Sequence, residues 1–345
     1  MNSSDIAKLA GVSRSTVSRV INNYGNVPPE TRKKVLDVIK KYNYVPIASA
    51  QMLAGKKSKI LGLFIVDTKD ENDCNIITSS SYFSPFTSAV IDQANKQHYN
   101  ILISVVNNAR DFKNAKDMFY NKTIFGGIFI GARNNEVEIY DIIDKGYKVA
   151  IIEQEIKDET DLFTKSVVIN SDSFGGAYEA TNYLIGLGHR KIAHICGDVK
   201  QFTAIKRFEG YKKALEDAGI NIDENYVVYG NYTEESGYRA VKKLLTKCVP
   251  TAIFLANDSM SLGAIRAIHE ANLRIPEDIS IVGFDDIEVA RYLQPALTTV
   301  RVSVFQMASI CTNNLIKANE EDLDFYADYQ IPVELVIRDS CMEIK

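Results

Sequence analysis

Short apolar runs and amphipathic stretches alternate along most of the chain. From residue 60 onward, runs rich in Val, Ile and Leu recur, and stretches with apolar residues at every third or fourth position separate them. The runs predict buried strands and the stretches predict helices. The predicted strands are Ile60–Val66, Ile101–Val106, Gly127–Ile130, Val149–Ile152, Ser166–Ile169, Lys191–Cys196, Tyr226–Tyr229, Ala252–Ala256, Ile279–Phe284, Leu297–Val302 and Ile331–Ile337. The predicted helices include Phe86–Gln97, Phe174–Leu187, Ala204–Ala218, Glu234–Thr246, Ser259–Glu270 and Phe305–Ala318.

This alternation predicts parallel sheets that are covered by helices. So many strands exceed what one hydrophobic core accommodates, so we expect an α/β body of two doubly wound subdomains. Ligands of such sheets bind at the carboxyl ends of the strands. The expected ligand site therefore lies in a cleft between the two subdomains.

The first 47 residues follow a different pattern, which predicts an all-α head of three short helices. Ser3 or Ser4 is the expected N-cap of the first helix, and Ser13 is the expected N-cap of the second, which runs from Arg14 to Ile21. The third helix is expected to begin near Pro29, because proline suits the first helical turn.

Charge is distributed unevenly between these two regions. Residues 1–59 contain 11 Lys or Arg and 3 Asp or Glu, a net charge of +8. The whole chain carries −4, so the remaining residues carry −12. A basic head on an acidic body is typical of a protein that binds nucleic acid, although a merely solvated basic surface would give the same count.

Composition excludes several classes of protein. The 345 residues are 46% hydrophobic and 24% charged, as in ordinary globular proteins. No apolar run approaches the ~20 residues of a membrane span, and the N-terminus lacks the apolar stretch of a secretory signal. The five cysteines form no CxxC pair, which favours a reducing compartment and argues against a zinc or disulfide framework. We therefore expect a cytoplasmic protein without a membrane partner.

The head has the order of elements of a helix-turn-helix. A helix, a turn at Gly11 and a second helix rich in small polar and basic residues form this DNA-binding arrangement. Arginine can form two hydrogen bonds with guanine, and serine and threonine can bond bases or phosphates. A hairpin of helices used only for packing is the alternative. The candidate DNA-binding residues are Ser13, Arg14, Ser15, Thr16, Ser18, Arg19 and, in the loop that follows, Asn26.

The segments DIAKLAGVSRSTVSRVIN and ETRKKVLDVIKKYNYVP resemble the LacI/GalR family of bacterial transcriptional regulators. The resemblance continues through NYLIGLGHRKIAHI, IFLANDSMSLGAIRAI and IPEDISIVGFDDIEVARYLQPALTTVR, and thus covers nearly the whole chain. The family signature D-V-A-x-x-A-G-V-S-x-x-T-V-S-R-V-L-N agrees at Asp5, Ala7, Ala10, Gly11, Val12, Ser13, Thr16, Val17, Ser18, Arg19, Val20 and Asn22.

The resemblance implies that a hinge helix follows the head. In the family, the hinge helices of a dimer pair in the minor groove of the operator and insert leucine side chains, which makes Leu53 the expected wedge. Ile47 replaces a usual Asn that follows Pro46, so Ser49 is the remaining candidate cap of this helix. A flexible linker is the alternative for this segment.

The resemblance also implies an effector site in the cleft. Asp285 ends a predicted strand and is expected to accept ligand hydroxyl groups, and Arg207 occupies the position of an effector-binding arginine. Asp258 is as well suited to cap a helix as to bind ligand, and Asp286 is expected to cap a turn or a short helix. The candidate effector-binding residues are Tyr82, Phe83, Glu153, Arg207, Tyr232, Asn257 and Asp285; for Tyr82 and Phe83, a place in the core is the alternative.

The domains expected from this resemblance begin with the head, residues 1–47, and a hinge helix and linker, residues 48–58. An N-terminal effector subdomain of residues 59–163 and 292–328 and a C-terminal effector subdomain of residues 164–291 and 329–345 follow. The implied partners are double-stranded operator DNA, a small-molecule effector that is a sugar or sugar derivative, and a second copy of the chain in a homodimer. The long segment Thr68–Ser79 is expected at the mouth of the cleft or at the dimer surface.

Nothing in the sequence indicates catalysis. The four histidines show no metal-ligand spacing, and no P-loop, G-x-S-x-G motif or post-strand G-x-G-x-x-G motif is present. We therefore expect a protein that is not an enzyme and holds no metal or cofactor. Two alternatives remain: a two-lobed cytoplasmic solute-binding protein, and a regulator that depends on a purine-type corepressor.

Overall fold

The structure is a computed structural model in which the chain divides into two compact units, Met1–Ser58 and Lys59–Lys345. We call them the head and the body and describe each by itself. The residues that the structure describes are 1–21, 24–44, 57–67, 80–134, 136–155, 166–321 and 326–344. Leu53, the rest of the expected hinge helix and the segment Thr68–Ser79 lie outside these residues.

The head contains three helices, as predicted: α1 (Ser3–Ala10), α2 (Arg14–Ile21) and α3 (Pro29–Lys41). Gly11 ends α1 in the left-handed conformation, with a φ of 66°, which glycine adopts without strain. Apolar side chains from all three helices and from the segments that follow α2 and α3 form one small core: Ile6, Ala7, Val17, Val20, Val27, Val35 and Tyr44.

The cap of α1 differs from the prediction. The side chain of Asn2 accepts hydrogen bonds from the backbone N–H groups of Ser4 and Asp5, and the Asp5 carboxylate accepts from the N–H of Asn2. This reciprocal pair is a capping box. Ser3 and Ser4, the predicted caps, lie inside the helix because it begins one residue earlier than a serine cap would require.

The body contains two six-stranded sheets, as the pattern of apolar runs predicted. The first has the order β11-β5-β4-β3-β1-β2, with all neighbours parallel. Its strands are β1 (Ile60–Val66), β2 (Asn100–Val106), β3 (Gly126–Ile130), β4 (Lys148–Ile152), β5 (Ser166–Ser171) and β11 (Ala327–Ile331).

The second sheet has the order β12-β10-β9-β8-β6-β7, and only its edge strand β12 is antiparallel to its neighbour. Its strands are β6 (Ile192–Cys196), β7 (Val227–Tyr229), β8 (Ala252–Leu255), β9 (Ser280–Asp285), β10 (Thr298–Arg301) and β12 (Glu334–Val336).

Helices connect the strands, as expected for parallel sheets. The first subdomain contains α4 (Phe83–Lys96), α5 (Ala109–Tyr120), α6 (Val137–Asp144) and α11 (Val304–Glu321), which packs against α4. The second contains α7 (Ser173–Gly186), α8 (Phe202–Asp217), α9 (Glu234–Leu245) and α10 (Asp258–Glu270). Within the described residues, no helix combines the length and the apolar character needed to cross a bilayer.

The chain crosses between the two sheets after Ser171, after Arg301 and after Ile331. The subdomain boundaries expected from the sequence, at residues 163/164, 291/292 and 328/329, are therefore each too early. The reason is that β5, β10 and β11 each complete their pairing in one sheet before the chain leaves it. The single strand predicted for residues 331–337 is two strands in different sheets, because Pro332 between them has no N–H to donate to a ladder.

Candidate functional site

The start of α2 presents a row of polar side chains on the surface of the head. Val17 and Val20 are buried and fix the opposite face of the helix. Ser13 caps the helix as predicted, since its Oγ accepts a hydrogen bond from the N–H of Thr16 at 3.1 Å. Thr16 is half-buried, and the other candidates in and beside α2 are exposed: Ser13, Arg14, Ser15, Ser18 and Arg19.

Local hydrogen bonds organise this surface. The hydroxyl of Ser13 lies 2.7 Å from that of Ser15 and 2.9 Å from that of Thr16, and Nε of Arg14 donates to Oγ of Ser3 at 3.1 Å. Asn26 is exposed in the loop between α2 and α3. Exposed hydroxyls, guanidinium groups and a helix N-terminus in one place are groups that bond phosphates and base edges.

A cavity of about 1270 Å³ lies between the two subdomains of the body. It opens where strands of both sheets reach their carboxyl ends, the position expected for a ligand site in this architecture. The structure brings all seven candidate effector-binding residues to its walls: Tyr82, Phe83, Glu153, Arg207, Tyr232, Asn257 and Asp285.

Arg207, on α8, is the most strongly anchored of these residues, and its side chain is 4% exposed. Its Nη2 donates to Oδ1 of Asp285 at 3.3 Å, its Nε donates to Oγ of Ser173 at 3.4 Å, and its Nη1 donates to the carbonyl oxygen of Ala256. Its guanidinium also stacks on Phe284, 3.7 Å from the ring centroid. The charge of Arg207 is therefore fixed in place and directed at Asp285.

Asp285 ends β9 and has a side chain that is 9% exposed. Burial raises the pKa of Asp285 to about 6, although the adjacent Arg207 opposes the shift. Burial disfavours a charged carboxylate, so this group gains from any ligand that donates hydrogen bonds to it.

Glu153 faces the same cavity from the first subdomain, directly after β4. Its Oε1 accepts hydrogen bonds from the hydroxyl of Ser171 at 2.6 Å and from the N–H of Ser171 at 3.2 Å. Its Oε2 is buried and has no hydrogen-bond partner among the described residues. Burial raises the pKa of Glu153 to about 7, although the bonds from Ser171 and the charge of Arg207 oppose the shift.

Aromatic rings supply the apolar part of the wall. Tyr82 and Phe83 meet edge to face, with 5.7 Å between ring centroids, and both are half-buried at the start of α4. The Tyr232 hydroxyl lies 2.9 Å from Oγ1 of Thr203. Gly197 leaves room for the Tyr232 ring, since a Cβ at this glycine would lie 2.1 Å from a ring carbon. Burial raises the pKa of Tyr232 to about 12, so its phenol stays protonated and keeps a donor for hydrogen bonding.

Three of the candidate residues hold a left-handed backbone that side chains rarely adopt. The φ angles are 59° at Glu153, 67° at Tyr232 and 107° at Asp285. Such conformations cost about 1–3 kcal/mol each and persist where the surrounding structure imposes them, often at functional sites. Here they accompany side chains that line one cavity.

Asn257, and not Asp258, caps the helix and also lines the cavity. Asn257 is the N-cap of α10, with Oδ1 accepting from the N–H of Met260 at 2.9 Å, and its Nδ2 donates to the carbonyl oxygen of Tyr232. Asp258 is fully buried and neither caps the helix nor lines the cavity. It accepts from the N–H of Ile287 at 2.9 Å and from the hydroxyl of Thr299 at 2.6 Å, and thereby ties α10 to the segment that follows Asp285.

The expectation that Asp286 caps a turn or a short helix is wrong. The helical turn at Glu288–Tyr292 has no side-chain cap. Asp286 instead forms ion pairs with Arg301 at 2.8 Å and with Arg338 at 2.6 Å. Burial alone would raise the pKa of Asp286, but hydrogen bonds from the two arginines outweigh it and hold the pKa below its usual value. This pairing fixes the residue next to Asp285.

Sequence reasoning missed several polar residues of the wall. Asp67 and Asn107 directly follow β1 and β2, and Thr203 lies at the start of α8. A simple signal, the first polar residue after each strand of a parallel sheet, identifies Asp67 and Asn107. Thr203 has no comparable signal, because its place depends on the contact with Tyr232.

The histidines play structural roles where their contacts are defined. His194 is buried, with Nδ1 bonded to the carbonyl oxygen of Phe254 at 3.0 Å, and burial lowers its pKa to about 4. His189 lies between Thr251 and Met342, 3.0 Å from the hydroxyl of the one and 3.2 Å from the carbonyl oxygen of the other. No group of three or more His, Cys, Asp or Glu suited to a metal ion occurs in the part of the chain that the structure describes.

Comparison with protein families gives two matches in different parts of the chain. Residues 4–46 match the bacterial regulatory proteins of the lacI family, and residues 181–341 match a periplasmic binding protein-like domain. The chain is similar over its whole length to the HTH-type transcriptional repressor PurR of Haemophilus influenzae (strain PittEE). The two are 34% identical, and the alignment covers 99% of this chain and 98% of that protein.

Two solved structures are similar to the whole chain. The lac repressor dimer bound to operator and the anti-inducer ONPF has a TM-score of 0.80 and 26% identity, with 98% of each chain covered. The transcriptional regulator CelR–cellobiose complex has a TM-score of 0.76 and 25% identity, with 97% of this chain and 98% of that chain covered. Both similarities extend over the head and the body of this chain.

Proposed function

The chain belongs to the lacI family of bacterial regulatory proteins, and we propose that a sugar bound in the cavity of its body sets its affinity for operator DNA. The family consists of DNA-binding repressors with an effector-binding domain, not of enzymes. What this proposal adds is the class of ligand, the residues that bind it and the way in which it acts. A regulator of this kind acts on DNA in the cytoplasm.

Two heads of a homodimer bind a pseudo-palindromic operator, because a two-fold symmetric protein matches a two-fold symmetric site. Arg19 and Arg14 contact base edges or phosphates in the major groove, and Ser13, Ser15, Thr16, Ser18 and Asn26 contribute further hydrogen bonds. The exposure of the side chains around the start of α2 supports this assignment. Leu53, outside the described residues, is proposed as the minor-groove wedge on the basis of the family resemblance.

The observation that carries the effector site is the meeting of Arg207 and Asp285 with Glu153 in one cavity. Carboxylates accept the hydroxyl groups of a sugar, an arginine donates to its ring and hydroxyl oxygens, and Tyr232, Tyr82 and Phe83 pack on its apolar face. A solved relative, CelR, is a complex with cellobiose, which also favours a sugar.

Because the wall includes residues of both subdomains, a bound ligand favours one angle between them over others. We propose that this angle controls the spacing of the two hinge segments in the dimer and thereby the affinity for operator. Thermodynamic linkage requires that operator binding change effector affinity by the same factor.

The experiment uses the full chain, a panel of sugars and a duplex operator selected by the protein from a random-sequence pool. A sugar that binds should raise the melting temperature and change operator affinity by about fivefold to 150-fold. If a purine base such as hypoxanthine gives these effects and no sugar does, the ligand class is wrong. If a sugar binds without changing operator affinity, the proposed coupling is wrong.

The role of Leu53 has its own test. Leu53→Ala should weaken binding to the operator by about tenfold or more and leave binding to random DNA nearly unchanged, since only the bent specific complex uses a wedge. Met52→Ala, at the neighbouring position, is the matched control. Equal losses on operator and random DNA would contradict a wedge at Leu53.

A further inference from the structure

We infer that the effector is an uncharged sugar and that Glu153 weakens the binding of sugars that carry a carboxylate or a phosphate. This inference rests on the proposed function, because it concerns the ligand of the same cavity. The sites and relatives described above leave the charge of the ligand open. We infer the charge of the ligand from the charged residues on the cavity wall and from the protein groups that already pair with them.

Arg207 is the basic residue best placed to bind an anion, but most of its N–H donors already form hydrogen bonds within the protein. Asp285, Ser173 and the carbonyl oxygen of Ala256 each accept one of its hydrogen bonds, and the ring of Phe284 covers one face of the guanidinium. Two of its five N–H groups remain for a ligand. These can bond sugar oxygens, but the positive charge is already offset by Asp285.

Glu153 adds a second carboxylate on the opposite wall. Among the described residues, its carboxylate accepts hydrogen bonds only from Ser171, a neutral residue, and its Oε2 is buried without a partner. Arg207 thus faces two carboxylates, one from each subdomain. A ligand carboxylate or phosphate would bring a further negative charge into this group, and like charges in a partly desolvated site repel strongly.

The other charged residues of the cavity wall do not supply the positive charge that an anionic ligand would need. Among the described residues that line the cavity, five are acidic and three are basic. The two basic residues besides Arg207 are Arg239, which pairs with Glu235 at 2.8 Å, and Lys243, which is exposed. The wall therefore has an excess of hydrogen-bond acceptors, which suits a ligand rich in hydroxyl donors.

The carboxyl groups themselves show how poorly the cavity wall solvates negative charge. A site built to bind an anion surrounds it with positive charge, and positive charge lowers the pKa of neighbouring carboxyls. Here the pKa of Asp285 is raised to about 6 and that of Glu153 to about 7, chiefly by burial, and Arg207 offsets only part of each shift. Burial therefore disfavours even the cavity's own negative charges, and a ligand anion would meet the same cost of desolvation.

This arrangement gives the affinity a pH dependence whose sign depends on the ligand. The groups that face Glu153 are Ser171 on β5, Arg207 on α8, Tyr82 at α4, Tyr232 after β7 and Asp285 on β9. Hydroxyl groups of an uncharged sugar donate to ionised carboxylates, so its affinity falls as pH falls through about 7 and 6. An anionic ligand would favour the protonated carboxyls instead, and its affinity would rise over the same interval.

The test is calorimetric titration of the full chain with matched sets of sugars at pH 8 and at pH 6. Each set contains a hexose, its uronate and its 6-phosphate, for example glucose, glucuronate and glucose 6-phosphate, with cellobiose and hypoxanthine added. We expect the best hexose or disaccharide to bind more weakly at pH 6. We also expect the charged partners of the best hexose to bind at least about tenfold more weakly than the hexose itself.

Two variants test whether Glu153 is the source of the preference for uncharged over charged sugars. In Glu153→Gln, the affinity for a charged sugar relative to its uncharged partner should rise by roughly tenfold, because one negative charge is removed without loss of size. Glu234→Gln is the matched control, since Glu234 lines the same cavity but is exposed and pairs with Arg266. The control should leave both the charge preference and its pH dependence unchanged.

The outcomes separate this inference from the function on which it rests. A uronate or phosphate that binds more tightly than its uncharged partner, and more tightly still at pH 6, overturns the inference but leaves a sugar-responsive repressor. Binding of hypoxanthine in place of any sugar, or of no compound in the set, contradicts the sugar effector itself. A selectivity that Glu153→Gln and Glu234→Gln change equally removes Glu153 as its source.

Discussion

At the start of α2 most of the candidate DNA-binding side chains are exposed, and the hydroxyls of Ser13, Ser15 and Thr16 bond to near neighbours in the chain. In the cavity the candidate effector-binding side chains are largely buried and depend on partners far away in the sequence. Ser13 bonds Ser15 and Thr16, whereas Arg207 bonds Asp285, 78 positions further along. The first surface suits contact with a long polyanion, and the second has the shape of a site for a small molecule.

The difference has energetic consequences. Exposed side chains contribute little to the stability of the head, so substitutions there should change DNA binding and leave the fold intact. Buried charges in the cavity stabilise the body only as long as each keeps its partner. Substitutions in the two regions should therefore be distinguishable by stability as well as by binding.

The largest expected effect is on operator binding when the head is removed. A protein consisting of residues 59–345 corresponds to the separate compact body and should fold, bind effector and lose measurable operator affinity. The intact chain should show an operator affinity that falls steeply with salt, because the basic head releases counterions from DNA. Fluorescence anisotropy with labelled operator checks both points. Operator binding by the body alone would contradict the division of functions.

The next effect in size is on the stability of the body. Arg207→Met leaves Asp285 and the carbonyl oxygen of Ala256 without their buried donor, and should lower the free energy of unfolding by about 3–5 kcal/mol. Arg239→Met is the matched control, because its ion pair with Glu235 is exposed and should be worth less than about 1 kcal/mol. Urea unfolding of both variants provides the comparison. Equal losses would mean that Arg207 has no special anchoring role.

A smaller effect is expected at the DNA surface. Arg19→Ala should weaken operator binding by about 1–3 kcal/mol if Arg19 contacts a base edge, with no change in the melting temperature of the head. Lys40→Ala, on the exposed part of α3, is the matched control and should affect operator and random DNA alike. Loss of stability in Arg19→Ala, or equal losses on both DNAs, would argue against base contact.

The smallest effect concerns the pH dependence of stability. The pKa of Glu153 is raised to about 7 in the folded body, so between about pH 4.5 and 7 the folded state binds more protons than the unfolded state. The contribution of Glu153 to the free energy of unfolding is therefore fully present at low pH and is lost as the pH rises toward 7. Glu153→Gln should be more stable than the wild type at pH 8, and most of this difference in the free energy of unfolding should be gone at pH 5. A difference that is independent of pH would contradict burial of an ionisable group.

The sequence predicted the elements of the molecule closely because each has a local cause. Apolar runs such as Ile60–Val66 form strands at the predicted place, and Ser13 caps α2 through an atom three residues from its partner. The crossovers between sheets were placed too early, since the apolar pattern of β5 or β10 does not reveal which sheet the strand joins.

In the cavity, too, the sequence predicts position but not the contacts between segments that are distant in the chain. Its position at the carboxyl ends of the strands follows from the α/β pattern, and the family resemblance supplied the seven candidate residues that line it. The resemblance did not reveal what holds them. The sequence predicts a cap or a ligand group at Asp258 and a cap at Asp286, but their partners Thr299, Arg301 and Arg338 come from strands and segments far along the chain. Contacts of that range depend on how the sheets assemble.

The most direct test of the account pairs two titrations of the wild type and of Asp285→Ala: calorimetry with the uncharged sugar that the wild type binds best, and operator binding with and without that sugar. The account predicts that Asp285→Ala weakens sugar binding by at least about tenfold, because hydrogen bonds to a carboxylate are lost. Operator affinity without sugar should stay near the wild-type value, so that the variant binds DNA but no longer responds. Unchanged sugar affinity would remove Asp285 from the site, and loss of operator binding without sugar would make it a structural residue of the body.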